Sequence, residues 1–145
     1  SSVNSMGWKN CTMRTTTMAN ALKWIPADLR SSVRAVKKKT ASKGNSSTAA
    51  VTTTSDKMFL LSEVEVLNTT SQSVNGEGTQ YEYYKTVANQ KKVSYQSTST
   101  VKWWLRSPRK TDPSSFLILY FDGTKGSASD SYANNSNWTA PAFCF

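Results

Sequence analysis

Six consecutive residues, Trp103-Trp104-Leu105-Arg106-Ser107-Pro108, constrain this chain more than any other stretch. Two adjacent tryptophans carry a large apolar surface that favours core and lid packing over ligand stacking. With a lone arginine beside them, and an apolar closing stretch Ala140-Pro141-Ala142-Phe143-Cys144-Phe145, they have the character of a framework. Beyond Pro108 the composition changes. The 37 residues from Arg109 to Phe145 mix Ser, Asn, Asp, Tyr, Gly and one Trp, interrupted by Phe116-Leu117-Ile118-Leu119-Tyr120-Phe121. Tyr and Trp with Ser, Asn and Gly are the composition of adaptable recognition loops. The expectation is a binding domain with a fixed frame and a display surface near its C-terminus.

At 145 residues the chain is one domain, residues 1–145, large enough for a core without metal or disulfide staples. No run approaches the eighteen or more apolar residues of a membrane span, so membrane insertion is not expected. Residues 1–5 have neither the charged nor the apolar stretch of a signal peptide, and the expectation is either the end of a larger protein or a trimmed piece.

The net charge of +9 invites a nucleic-acid reading. Its distribution argues against one at the tail. Residues 1–60 hold ten Lys/Arg against Asp28 and Asp56, giving +8. Residues 61–108 hold five against four, giving +1, and residues 109–145 hold three against three, giving zero. Lys37-Lys38-Lys39 is read as a solvated basic face in preference to a phosphate contact.

There is no histidine. Ser-His-Asp and Cys-His catalysis, His-ligated zinc and imidazole proton shuttles are therefore excluded together. Cys11 and Cys144 stand far apart with no C-x-x-C pattern, either as buried thiols or as one bridge. Glu63 and Glu65 diverge on a helix, so capping, or pairing with Arg14 or Arg106, is preferred to acid–base chemistry. The expectations are no catalytic residue, no metal site and no cofactor.

Along the chain, Met18, Leu22 and Ile25 keep the i, i+4, i+7 spacing of one helix face, and Pro26 ends that helix. Leu29, Val33 and Val36 repeat the spacing, although residues 33–39 also suit a strand. Residues 40–55 read as a surface loop or a loose hairpin, and 58–61 as a short buried strand. Ser62-Glu63-Val64-Glu65 has the form of a helix cap with acids in the first turn. Residues 68–78 read as a flexible linker, and Tyr81, Tyr84 and Val87 or Ala88 as a third helix. Residues 101–106, 116–121 and 141–145 read as strands. The predicted class is α+β, helices first and then a mostly antiparallel sheet with long loops.

The ordered motifs Gly7-Trp8, Cys11, Arg14, Leu29-Arg30, Phe59-Leu60-Leu61-Ser62-Glu63-Val64-Glu65, Tyr83-Tyr84, Trp103 to Pro108 and Pro141-Ala142-Phe143-Cys144 carry a resemblance over nearly the whole chain. It resembles a domain family of gut bacteria and their phages. That family looks like the C-type-lectin-like fold of formylglycine-generating-enzyme type, often the variable protein of a diversity-generating retroelement. The resemblance implies a frame bearing variable residues at Arg109, Asp112, Ser114, Ser115, Ile118, Tyr120, Ser129, Asp130, Ser131, Tyr132, Asn135 and Asn137, in a display region of about 109–138. Phe121, Asp122, Asn134 and Trp138 join that surface by position. Trp103, Trp104, Leu105, Arg106, Phe116, Leu119, Pro141, Phe143 and Cys144 would be fixed. It also implies a bridge from Cys11 on the first helix to Cys144 on the last strand. The calcium-dependent sugar motifs Glu-Pro-Asn, Gln-Pro-Asp and Trp-Asn-Asp do not occur.

The implied function is recognition of a bacterial surface protein or glycan. Its setting would be the cell surface, the extracellular space or a virion tail, within a larger multimeric protein whose avidity offsets modest single-site affinity. The alternatives are a fixed-specificity structural or adhesion module of a phage tail or cell surface, and a basic nucleic-acid-binding domain.

Overall fold

Helix formation at the start of the chain is repeatedly interrupted. The computed structural model describes residues 7–96 and 98–145. Helix α1 (Gly7–Asn10) opens on Gly7 at φ +56°, where an added Cβ would lie 2.6 Å from the Ala41 carbonyl oxygen. Only glycine allows that approach. A π-helix (Met13–Met18), α2 (Ala19–Ala21), a 3-10 turn (Leu22–Trp24) and α3 (Ala27–Ser32) come next. Met18 is buried, and Leu22 and Ile25 pack against the core, as their spacing predicts. The second stripe is corrected. Leu29 is 48% exposed and α3 buries nothing, because the chain turns extended at Val33 and Val36 already begins a strand.

Strands β1 (Val36–Ala41) and β2 (Val51–Asp56) form an antiparallel hairpin, pairing Lys38 with Thr54 and Val36 with Asp56. The ambiguous stretch is thus a strand. Alternation turns Lys38, Thr40, Thr54 and Asp56 inwards, a polar inner face that must find partners. Lys38 is therefore not part of a solvated basic run; Lys37 and Lys39 are exposed, and Lys38 is buried.

Residues 58–61 are buried as expected, but they join no sheet; Phe59 makes an isolated antiparallel bridge to Ala142. Helix α4 (Glu63–Leu67) starts with a complete capping box between Ser62 and Glu65, and ends on Asn68 in the left-handed conformation. The third expected helix is two short pieces, α5 (Glu82–Lys85) and a 3-10 turn (Val87–Gln90). Tyr84 packs on the core while Tyr81 and Val87 stay exposed.

A three-stranded antiparallel sheet completes the chain's regular structure, in the order β3 (Trp103–Pro108), β4 (Ser115–Phe121), β5 (Gly126–Tyr132). The core gathers Trp8, Met18, residues 58–61, Val66, Trp103, Trp104, Leu105 and residues 117–119. The final residues form no regular strand. They pair singly, Ala142 with Phe59 and Cys144 with Arg34, while Trp138 lies parallel to Trp103. Phe143 is corrected from a framework residue; it is partly exposed and packs edge-on against Phe145, with ring centres 5.4 Å apart. The architecture is α+β with two antiparallel sheets. Among the described residues no helix is long and apolar enough to cross a membrane.

Candidate functional site

Residues 109–138 follow directly on a strand anchored in a buried polar network. Arg106 on β3 is fully buried. Its guanidinium donates to the carbonyls of Lys39, Leu60 and Glu77, to Thr40 Oγ1 and to Glu65 Oε2. Lys38 donates to the other Glu65 oxygen and to the Tyr81 hydroxyl, with its ammonium 4.4 Å from the Phe59 ring centre. Burial alone would push the Glu65 carboxyl up, but Arg106 and Lys38 outweigh it and hold it below its ordinary value. Of the two partners that the sequence allows Glu65, Arg106 is the one it takes. Arg14 instead pairs with Asp56 at 2.7 Å.

Glu63 works differently. It accepts from the backbone N–H groups of Gln72 and Ser73 and from the hydroxyls of Ser71 and Ser73. Those bonds fix residues 71–73, so the expected linker is an organised loop that buries Ser73, Val74 and Glu77. Glu77 accepts from the Ala41 N–H and from the Ser107 hydroxyl, and burial raises its pKa to about 7. Sequence reasoning missed Glu77. In a Ser/Thr/Gly-rich stretch a single acid gives no sign of burial.

Residues paired across an antiparallel sheet share a face. One face of the β3–β5 sheet presents Trp103, Leu117, Leu119 and Ala128, with Leu117 and Leu119 fully buried. The other presents Trp104, Phe116, Ile118, Tyr120, Ser127, Ser129 and Ser131. Of these, Phe116, Tyr120 and the three serines are half-buried. After β5 the chain folds back over this second face, and the side-chain amides of Asn135 and Asn137 both donate to Ser131 Oγ, at 3.1 and 2.9 Å. Tyr120, Ser129, Ser131, Asn135 and Asn137 are thus brought together, with no charged side chain among them.

Other expected display residues lie elsewhere. Ile118 is only 4% exposed and belongs to the core, because it sits on the central strand beside Trp104. Ser115 is fully buried and its hydroxyl donates to Asp112. Asp112 also accepts the Ser114 N–H at 2.7 Å, which holds its carboxyl below the usual range and makes it the staple of the turn at 112–115. The half-buried Ser114 takes part in that turn, and its carbonyl accepts the Ala133 N–H. Arg109 pairs with Asp130, whose register partner Leu117 lies on the buried face. These two charges are therefore outside the neutral cluster. Tyr132 is exposed at the end of β5.

One residue extends the neutral surface beyond expectation. Ser127 joins it through its pairing with Tyr120, while Phe116 on the same face packs against the core as a framework residue. Trp138, among those joined by position, is partly exposed and meets the exposed Tyr95 edge-on at 5.8 Å. Nothing in the sequence around Tyr95 marks it.

Cys11 and Cys144 are both free thiols in this structure, which does not form the implied bridge. The Cys11 thiol turns back on its own helix and donates to the Trp8 carbonyl at 3.3 Å, where burial raises its pKa. Cys144 instead enters the fold by backbone, its carbonyl accepting from the Arg34 N–H.

No curated protein and no solved structure gives a significant match to this chain. Residues 1–145 match the family described as "Domain of unknown function (DUF6273)", and the chain belongs to that family.

Proposed function

We propose that this is a ligand-recognition domain whose contact surface is the neutral face built by Tyr120, Ser127, Ser129, Ser131, Asn135 and Asn137. The observation that carries the reading is the division of labour across one sheet. Leu117 and Leu119 are buried on one side of β4, and on the other uncharged hydroxyl, amide and aromatic groups gather around the buried Trp104 and Ile118. Hydroxyls and amides adapt their hydrogen bonds to different partners, while tyrosine adds contact area at low entropic cost. The C-type-lectin-like frame and diversification by a retroelement belong to the same proposal, with a bacterial surface protein or glycan as the partner. A setting at the cell surface, outside the cell or on a virion tail, within a multimeric parent, goes with that partner. The nucleic-acid alternative is weakened, because Lys38 spends its charge inside the fold on Glu65.

The test combines Tyr120→Ala, Ser129→Ala, Asn135→Ala and Asn137→Ala in one protein, then measures binding to bacterial envelopes beside thermal stability. Loss of binding with the melting temperature near that of the parent supports the reading. Unchanged binding would sink it. Sequencing the 3′ end of the gene across a natural population separates the two forms of binder. Substitutions clustered at codons 120, 129, 131, 135 and 137 mean a diversified surface, and a uniform sequence means fixed specificity.

A further inference from the structure

The N-terminal half holds a pocket whose lining includes no residue of β3, β4 or β5. This open pocket of about 450 Å³ lies between the π-helix and the end of β2, and its walls include Arg14, Met18, Leu22, Asp56, Lys57 and Met58. That volume is in the range of small-molecule sites, about 300–1,000 Å³. Two independent features mark it. A six-residue π-helix forms one wall, and such segments are rare and concentrate at functional sites. Beyond it, a buried polar network fixes the one arginine in that wall.

Asp56 organises this network. Its Oδ2 accepts from Trp8 Nε1 at 3.2 Å and from the Thr54 hydroxyl, and its Oδ1 accepts from Arg14 Nε at 2.7 Å. Arg14 Nη1 donates to the Lys9 carbonyl at 2.9 Å. The guanidinium is thereby held by Nε and Nη1, and among the described residues Nη2 takes no partner. Asp56 already accepts from three donors, and the Arg14 guanidinium offsets its charge. Lys57 is exposed beside it and has no ion pair among the described residues. The pocket lining therefore includes an oriented guanidinium edge and a lysine. Met18, Leu22 and Met58 supply the apolar remainder, and methionine adapts to irregular shapes. The positive excess of residues 1–60, ten basic residues against two acids, sets the same sign around it.

We propose that this pocket binds a monocarboxylate with an apolar body, its carboxylate on Arg14 Nη2 and Lys57 and its chain over Met18, Leu22 and Met58. A medium-chain fatty acid and a peptide C-terminus ending in a large aliphatic residue share that chemistry.

The test titrates the intact chain with octanoate, octanol and octylammonium, following the methyl signals of the methionines by NMR. Met18 and Met58 should shift and saturate with octanoate, while Met13, outside the pocket lining, stays still. Octanol and octylammonium should bind about ten-fold more weakly or worse, the size of one charge-assisted contact. Lys57→Gln, an exposed change that leaves the Asp56 network intact, should weaken octanoate several-fold and leave octanol unchanged. Arg14→Gln should remove the preference for octanoate; because it also strips Asp56 of a partner, it is read only alongside a folded-state spectrum. N-acetyl-leucine binding more tightly than octanoate assigns the source to a peptide end, and the reverse to a fatty acid. Equal binding of the three octyl compounds, indifference to Lys57→Gln, or shifts that spare Met18 and Met58 would overturn the proposal.

Discussion

Glu77 shows how much one buried carboxyl can decide. Its pKa in the folded chain is about 7 against an ordinary 4.5, and burial is the main cause. Between those values the folded chain keeps a proton that the unfolded chain has released. Its contribution to stability is therefore full below about 4.5 and is lost as pH rises towards 7, amounting to roughly 3 kcal/mol if the whole shift is expressed. Glu77→Gln keeps an acceptor for the Ala41 N–H and removes the titration. Denaturant midpoints at about pH 5 and about pH 8 should fall between the two conditions for the parent and stay closer together for the variant. Equal slopes in both proteins would count against a raised Glu77. Glu65, the partner of Ser62 in the capping box, runs the other way. Its lowered pKa gives stability that is present above the ordinary 4.5 and lost only in stronger acid, as pH falls through the folded value.

Strand β4 is the element on which the buried frame and the proposed contact surface divide. Ile118→Ala removes a buried side chain from the core and should cost about 2–5 kcal/mol. Tyr132→Ala and Asn135→Ala, at exposed positions at and beyond the end of β5, should stay within about 0.5 kcal/mol of the parent. Urea unfolding measures both, and a large loss at Tyr132 would erase the distinction. At this scale some of the molecule was legible in the sequence. The capping box of α4 needs only Ser62 and Glu65 at the right spacing, and the buried Trp103–Pro108 strand advertises itself by size. The inward turn of Lys38 was not legible, because it depends on Glu65, which is 27 residues away. Strand β5 was missed because Gly-Ser-Ala-Ser-Asp-Ser lacks the branched and aromatic residues that favour strands. Its extension is imposed by pairing with β4 along its whole length. The same weak pattern hid Ser127; Ile118 was expected on the surface through the family resemblance, and the structure buries it beside Trp104.

Across the whole molecule, distant segments hold one another. Arg106 joins the ends of β1, the 58–61 stretch, α4 and the Glu77 loop through a single side chain. Phe59 exchanges two backbone hydrogen bonds with Ala142, at 3.0 and 2.8 Å, and Arg34 donates to the Cys144 carbonyl at 2.9 Å. Ending the chain after Thr139 removes all three bonds and uncovers Phe59, so the truncated protein should melt earlier and exchange the Phe59 amide faster than the parent. Hydrogen exchange read at that amide is the check, and unchanged protection would mean these pairings contribute little. The same pairings order events during synthesis. A ribosome releases the first half of this domain while the partners of Arg34 and Phe59 are still unmade, and the tryptophans of β3 emerge before β4 exists to cover them. The nascent chain must therefore wait, with these apolar side chains bare, until residues 115–145 have been made. Its yield in a cell is then set by how well that interval is shielded, as much as by the stability of the finished fold.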